Sequence, residues 1–129
     1  MGTFHTTCSI ENMADRDRAA IVENMLVDTG SEYTWAPAKT LEALNIAREK
    51  KDIAFQMANG QCITRNIGFA IVRCGPFFTV DEVVFGDEGD LAILGARSLE
   101  GFNAQVDSAG ERLVAAGPVA AAACVAWTI

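Results

Sequence analysis

At residues 25–37 the sequence reads MLVDTGSEYTWAP, and the interpretation of the whole chain starts from this stretch. The apolar run before Asp28 predicts a buried strand, and Gly30 with Ser31 predicts the turn that ends it. The strand therefore places a carboxylate at the edge of the core, where burial costs free energy unless hydrogen bonds compensate. The hydroxyls of Thr29 and Ser31 and the backbone N–H groups around Gly30 are the predicted donors.

The DTGS sequence at residues 28–31, followed by WAP at residues 35–37, resembles the active-site loop of aspartic proteases, both pepsin-like and retroviral. A strand-ending turn with a solvated aspartate is the alternative that the motif alone leaves open. Pepsin-like enzymes carry two such triplets in one chain, whereas this chain of 129 residues has one and fits a single domain. The resemblance therefore implies the retroviral, retropepsin-like type that is also found in bacteria, in which two identical chains form one active site.

A second signature lies downstream at Ile93-Leu94-Gly95. Its apolar residues predict another buried strand that ends abruptly, and the pattern after Gly95 predicts a short helix. It resembles the segment of retroviral and bacterial single-domain aspartic proteases that crosses beside the catalytic loop. Many retroviral members have an Arg directly after this glycine. Here Ala96 follows and Arg97 comes one residue later, so the ion pair of that Arg is not carried over.

Between the two signatures, Asn59-Gly60 separates two apolar runs, which is a strong hairpin signal because both residues tolerate positive φ. The resemblance places this hairpin where retroviral-type proteases have the flap that closes over substrate. An ordinary sheet hairpin is the alternative that the residues leave open. The predicted flap comprises Met57, Ala58, Asn59, Gly60 and Gln61.

Short strands and turns recur at regular spacing, which predicts an all-β barrel or sandwich. The resemblance implies a closed or partly open antiparallel barrel of the acid protease type, with one or two short helices. Residues 1–114 form the predicted protease domain, and residues 115–129 form an Ala-rich tail that is a dimer-interface strand, a helix or a loose end. The predicted strands lie at residues 3–10, 19–27, 33–37, 64–73, 77–85, 102–107 and 111–114, with the flap hairpin at residues 53–63.

Composition and charge exclude several function classes. The formal net charge of −7 argues against nucleic acid or anionic lipid as a main partner, because both select basic surfaces. No Cys-x-x-Cys pair is present and His5 is the single histidine, so no metal site is expected. Free, mostly buried thiols and the lack of a signal peptide or membrane span predict a cytoplasmic location. The cysteines are Cys8, Cys62, Cys74 and Cys124.

The resemblance also implies a mechanism. Two copies of Asp28 facing each other across a two-fold axis would share one proton, because carboxylates so close cannot both ionise easily. One would activate a water and the other would protonate the scissile carbonyl. Thr29 would hydrogen-bond across the axis, Gly30 would let substrate approach, and Ser31 would donate to the outer Asp28 oxygen. No metal or organic cofactor is needed, and the partners are a second copy of the chain and a peptide or protein substrate.

Two other functions are compatible with parts of the sequence. A non-catalytic retropepsin-like dimerisation or peptide-binding module would have the same fold, although the intact triplet argues against a loss of activity. A hydrolase with a Ser or Cys nucleophile has little support. His5 is the one imidazole base available to it, and no Gly-x-Ser-x-Gly motif is present.

Overall fold

The computed structural model describes residues 4–121, which are mostly β with two short helices. The chain begins with a hairpin of β1 (Phe4–Glu11) and β2 (Ala19–Val27), whose strands pair antiparallel. Val22, Met25 and Val27 of β2 are buried while the other residues of the strand are more exposed, as in a sheet with one covered face. The predicted hairpin that leads into Asp28 is confirmed.

The remaining elements alternate with short connections. Each predicted strand is present, with ends that differ from the prediction by a few residues. The second arm of the predicted flap hairpin and the strand predicted at residues 64–73 form one continuous strand, Cys62–Cys74. In chain order the elements are β3 (Thr34–Pro37), α1 (Ala38–Ala43), β4 (Lys50–Gln56), β5 (Cys62–Cys74), β6 (Phe77–Gly86), β7 (Ile93–Leu94), α2 (Ala96–Phe102), β8 (Ala104–Asp107) and β9 (Arg112–Ala115).

Within residues 4–121, six strands form a ring in the order β1-β2-β7-β3-β6-β5, which a further pairing of β1 with β5 closes. β4 adds to the free edge of β5. The predicted all-β acid protease fold is therefore confirmed. The expected antiparallel arrangement holds for most pairings, but β2–β7 and β3–β6 are parallel. In both parallel pairs a long connection separates the two strands, as parallel neighbours require.

The core draws residues from the strands of the ring and from both helices. Ile10, Met25, Val72 and Leu94 are fully buried. Burial of a side chain of this size contributes roughly 1.5–3 kcal/mol to stability. Because Met25 lies on β2 and Leu94 on β7, the core anchors both segments that the sequence analysis identified as signatures.

The first helix is shorter than the sequence predicts. The spacing of Leu41, Leu44 and Ile46 predicts a helix through all three, whereas α1 ends at Ala43. Asn45 adopts a left-handed conformation (φ 59°), and Ile46 N–H donates to Leu41 O at 3.0 Å, which ends the helix. The three apolar side chains are still buried, so their spacing predicted burial correctly but not helix length.

The described chain ends with a separate two-stranded sheet. β8 and β9 pair antiparallel, which confirms the predicted hairpin. Residues 116–121 have no regular structure. The alternatives predicted for the rest of the tail concern residues 122–129, which lie outside the described chain together with Cys124. No helix within residues 4–121 is long and apolar enough to cross a membrane.

Candidate active site

Asp28 directly follows β2, and the backbone of the segment around β7 holds it in place. Leu26 N–H donates to Ala92 O at 2.9 Å, and Asp28 N–H donates to Leu94 O at 3.1 Å. These bonds belong to the parallel pairing of β2 with β7. The two signatures are distant in sequence, but the fold makes them neighbours.

The Asp28 carboxylate is half-buried and is bound by its own loop, the Asp28 loop (residues 28–33). Gly30 N–H donates to Asp28 Oδ1 at 2.9 Å, and Ser31 N–H donates to the Asp28 carbonyl oxygen at 3.1 Å. An aspartate that accepts the N–H two residues on stabilises a tight turn. The backbone donors that the sequence predicts around Gly30 are therefore confirmed.

Gly30 is needed for space beside the carboxylate. A Cβ atom at this position would lie 3.2 Å from Asp28 Oδ1, which is closer than most Cβ contacts. The φ of Gly30 is not in the left-handed region, so its backbone conformation does not require glycine. Any larger residue would instead push against the group that is predicted to carry the chemistry.

Ser31 does not bind the carboxylate as predicted. Its hydroxyl donates to Tyr33 O at 2.9 Å, and a hydroxyl has only one proton to donate. The Ser31 carbonyl accepts the Ala96 N–H at 2.7 Å. Ser31 thus shapes the turn and connects it to α2, and the predicted bond from its hydroxyl to Asp28 is wrong.

Thr29 is exposed and borders a shallow depression of about 440 Å³ between the Asp28 loop, α2 and β8. Apolar residues, among them Leu99 and Val106, line much of this depression. The hydrogen bond predicted from Thr29 to a partner's loop would form only in a dimer, and it requires the exposed position that Thr29 has.

Gly95 lies where the second signature crosses the Asp28 loop. A Cβ atom here would overlap the Tyr33 carbonyl oxygen and lie 3.0 Å from Glu32 O. Arg97 N–H donates to the same Glu32 oxygen at 3.1 Å. Only glycine permits a backbone approach this close. The structure therefore gives a steric reason for the glycine of the signature.

The predicted flap is the hairpin between β4 and β5. Met57 N–H donates to Gln61 O and Gly60 N–H donates to Met57 O, both at 2.8 Å. Gly60 has positive φ (+85°), whereas Asn59 does not and instead accepts the Gln61 N–H through its side chain at 2.9 Å. The hairpin therefore has a three-residue loop that ends in a left-handed glycine, not the two-residue turn that Asn-Gly predicts.

A cleft of about 620 Å³ opens between the Asp28 loop, the flap hairpin and the connection from β6 to β7. Most of the Asp28 loop, Ile93 and the first two flap residues line it. The predicted site residues that do not line it are Thr29, Leu94, Gly95 and the tip of the flap (Asn59, Gly60 and Gln61). Its lining consists of Asp28, Gly30, Ser31, Glu32, Tyr33, Trp35, Ala54, Phe55, Gln56, Met57, Ala58, Gly89, Asp90, Leu91 and Ile93.

Three aromatic side chains connect the two sides of the cleft. Phe55 meets Tyr33 edge to face at 5.5 Å and Trp35 at 5.2 Å between ring centroids. Trp35 is buried and also lines the cleft. The sequence analysis did not identify Phe55, although an aromatic residue just before a predicted flap, together with two just after Asp28, is a usable signal.

A comparison of the sequence with known families agrees with this arrangement of the site. Residues 17–97, more than half of the chain, match the family model described as aspartyl protease. The chain belongs to this retropepsin-like aspartyl protease family. The matched part of the protease contains Asp28, the flap hairpin and the second signature, whereas the β8–β9 hairpin lies beyond it. No curated protein matches the chain.

In this aspartyl protease Arg97 forms ion pairs that the sequence analysis did not carry over. Its Nε lies 3.1 Å from Glu32 Oε2 and its Nη1 lies 2.8 Å from Glu82 Oε2. The guanidinium also stacks on the Tyr33 ring, 4.4 Å from the centroid. Hydrogen bonding to Glu32 raises the pKa of Arg97. Such exposed pairs contribute little stability, but together they fix Glu32 and Tyr33 at the cleft.

Arg65 and Asp90 brace the opposite side of the protease's cleft. Arg65 Nε donates to Asp90 Oδ2 at 2.7 Å and its Nη2 donates to Oδ1 at 3.1 Å. Asp90 Oδ2 also accepts the Asp87 N–H at 2.7 Å. Both side chains of the pair are mostly buried, and hydrogen bonding from Arg65 lowers the pKa of Asp90. The pair holds the β6–β7 connection, which contributes Leu91 to the cleft.

The described part of the protease offers no metal centre. Within residues 4–121, no group of three or more His, Cys, Asp or Glu side chains is placed to hold a metal ion. The cysteines of this part are free thiols, with Cys8 and Cys74 buried and Cys62 exposed, as the sequence predicts for most of them.

Proposed function

We propose that the protein is an aspartic endopeptidase that works as a homodimer, with one active site built from two copies of Asp28. The observation that carries this proposal is the position of the Asp28 carboxylate, which opens into the cleft while the backbones of Gly30 and Leu94 hold it. Arg65 and Arg97 are paired with other carboxylates, so Asp28 is available to meet a second carboxylate.

The proposed chemistry needs an acid and a base close together. A two-fold axis next to the Asp28 loop would bring the two carboxyl groups into contact, and their titration would then belong to the pair. The ionised carboxylate takes a proton from water, whose oxygen attacks the scissile carbonyl carbon. The protonated carboxyl donates to the carbonyl oxygen, and the C–N bond then breaks with proton transfer to the leaving amine.

The proposed substrate is an extended segment of a peptide or unfolded protein. The cleft lies between a flap hairpin and the Asp28 loop, an arrangement that suits a strand-like chain bound through its backbone. Tyr33, Trp35 and Phe55 give apolar contacts for its side chains. The free thiols of the described chain support a reducing, cytoplasmic location as part of the proposal.

Cleavage of unfolded casein at pH 4 to 7, a range that covers the upper step in the titration of such carboxyl pairs, tests the proposal. Asp28→Asn keeps the size of the side chain but cannot share a proton, so we expect a loss of activity of about 10³-fold or more. Asp17→Asn, at an exposed carboxylate in the β1–β2 loop, is the matched control and should cleave like wild type.

Equal cleavage by Asp28→Asn and wild type would contradict the proposal. The non-catalytic module gives a different result in the same assay, because wild type would then leave casein intact while still binding an extended peptide. Sedimentation of the wild type under assay conditions completes the test, since an active monomer would also contradict it.

A further inference from the structure

A chain of hydrogen bonds, buried except at its partly buried Asp81 end, connects β6 to the second signature. Ser98 Oγ donates to Asp81 Oδ2 at 2.7 Å, Thr34 Oγ1 lies 2.6 Å from Ser98 Oγ, and Gly95 N–H donates to Thr34 Oγ1 at 3.0 Å. Thr34 and Ser98 have no exposed surface. The sequence analysis assigned no role to Thr34, Asp81 or Ser98.

The direction of these bonds follows from the number of protons. The Asp81 carboxylate can only accept hydrogen bonds, so the Ser98 hydroxyl donates its one proton to Asp81. The proton in the Thr34–Ser98 bond therefore comes from Thr34, and Thr34 in turn accepts from Gly95. The other carboxylate oxygen of Asp81 accepts the Glu82 N–H at 2.7 Å. Every donor along the chain thus points towards Asp81.

The elements that this chain joins are those that hold the Asp28 loop. Gly95 follows Leu94, whose carbonyl accepts the Asp28 N–H. Ser98 lies in the first turn of α2, and the first residues of that turn donate N–H bonds to the Ser31 and Glu32 carbonyls. Fixing Gly95 and the start of α2 therefore fixes the backbone on both sides of Asp28.

We propose that Asp81 is a positioning residue that acts through Ser98 and Thr34 on the Asp28 loop. This inference rests on the proposed function, because the geometry it maintains is that in which two Asp28 carboxyl groups share a proton. Asp81 touches neither the cleft nor Asp28. The Asp81 carboxylate is the final acceptor of this chain of hydrogen bonds. Without it the buried Ser98 hydroxyl would lose its acceptor, which costs free energy.

Two variants interrupt this chain of hydrogen bonds, and one conservative variant keeps it. Thr34→Val has nearly the same shape but leaves the Gly95 N–H without its acceptor, and Ser98→Ala removes the connection to Asp81. Thr34→Ser keeps the hydroxyl and serves as the rescue. Thr7→Val, at an exposed threonine of β1, is the control for the exchange of Thr for Val. Asp81→Asn keeps an acceptor without the charge and provides a milder variant if Ser98→Ala does not fold.

The first readout does not depend on activity. Amide hydrogen exchange of the full chain, measured by NMR, should be about tenfold faster at Gly95 and Asp28 in Thr34→Val and Ser98→Ala. Thr34→Ser and Thr7→Val should exchange as wild type does, and Asp81→Asn should lie between. Unchanged exchange at Gly95 in the chain-breaking variants would overturn the inference.

The second readout separates positioning from simple support of the fold. In Thr34→Val we expect kcat to fall about tenfold with little change in KM, and both limbs of the pH profile of kcat to move, because the pair titrates according to its geometry. Faster exchange with unchanged kcat and unchanged pH limbs would overturn the positioning role. Failure of the proposed function itself shows separately, as equal cleavage by Asp28→Asn and wild type.

Discussion

At the scale of single residues, the site depends on two glycines and one bonded carboxylate. Gly30 leaves space beside Asp28 Oδ1, and Gly95 leaves space for the Tyr33 carbonyl. The sequence identified both glycines by their motifs. It could not show what each is for, because the contact at Gly95 joins segments that only the fold brings together. The Ser31 hydroxyl was assigned wrongly for a different reason, because its acceptor, the Tyr33 carbonyl, depends on how the loop itself turns.

Replacing Gly30 by Ala should reduce activity with little effect on stability. The new Cβ would crowd Asp28 Oδ1, and the exposed loop can absorb the change by moving that carboxylate. Misplacement of a catalytic group on this scale costs on the order of 10- to 100-fold in rate. We expect kcat/KM to fall by that factor while the thermal midpoint stays close to that of wild type, and Gly30→Val to lose more activity. Full activity in Gly30→Val would mean that the loop is not part of the site.

At the scale of elements, the sequence predicted those features that local residue patterns determine. Runs of apolar and β-branched residues bounded by turn residues identified β1, β2, β5 and β6, and Asn59-Gly60 identified the flap hairpin. The length of α1, the turn type of the flap and the parallel β2–β7 pairing were not predictable. The parallel pairing joins segments that only the fold brings together. The end of α1 and the flap turn depend on left-handed conformations at Asn45 and Gly60, which these residue types permit but do not dictate. The Arg65–Asp90 pair was missed because its two residues lie on different elements.

Asp90→Asn should destabilise the protein in a pH-dependent way. Arg65 lowers the pKa of folded Asp90, so the pair's contribution is fully present above the unfolded pKa of about 3.9. It is lost as the pH falls through the lowered pKa of the folded state. Urea unfolding should therefore show Asp90→Asn to be about 1–3 kcal/mol less stable than wild type at pH 7.

The difference in the free energy of unfolding between Asp90→Asn and wild type should narrow as the pH is lowered below about 4. Asp87→Asn is the matched control, because its carboxylate is exposed and lies at 3.4 Å from Arg65 in a weaker pair. We expect Asp87→Asn to change the free energy of unfolding only slightly at every pH. A difference for Asp90→Asn that stays constant down to pH 3 would show that the carboxylate does not titrate with the pair.

At the scale of the whole molecule, the fold brings one Asp28 to one cleft, which is half of the site that the proposed chemistry needs. The ring of strands places β2 and β7 side by side, so the two signatures and the flap form one surface. The single triplet predicts a dimer, which stays a prediction, and it does not indicate which surface would form that dimer. The β8–β9 hairpin lies beyond the family match and beside the depression next to Thr29.

Mixing wild-type and Asp28→Asn chains tests the shared site most directly. Increasing amounts of Asp28→Asn are refolded with a fixed amount of wild type, and casein cleavage is measured, with Asp17→Asn chains added in parallel as the control. If each site needs one Asp28 from each subunit, equal amounts should lower the rate to about half and a ninefold excess to about one tenth, because mixed dimers are inactive. Added Asp17→Asn chains should raise the cleavage rate, because they form active dimers. A rate that depends only on the amount of wild type would contradict the account.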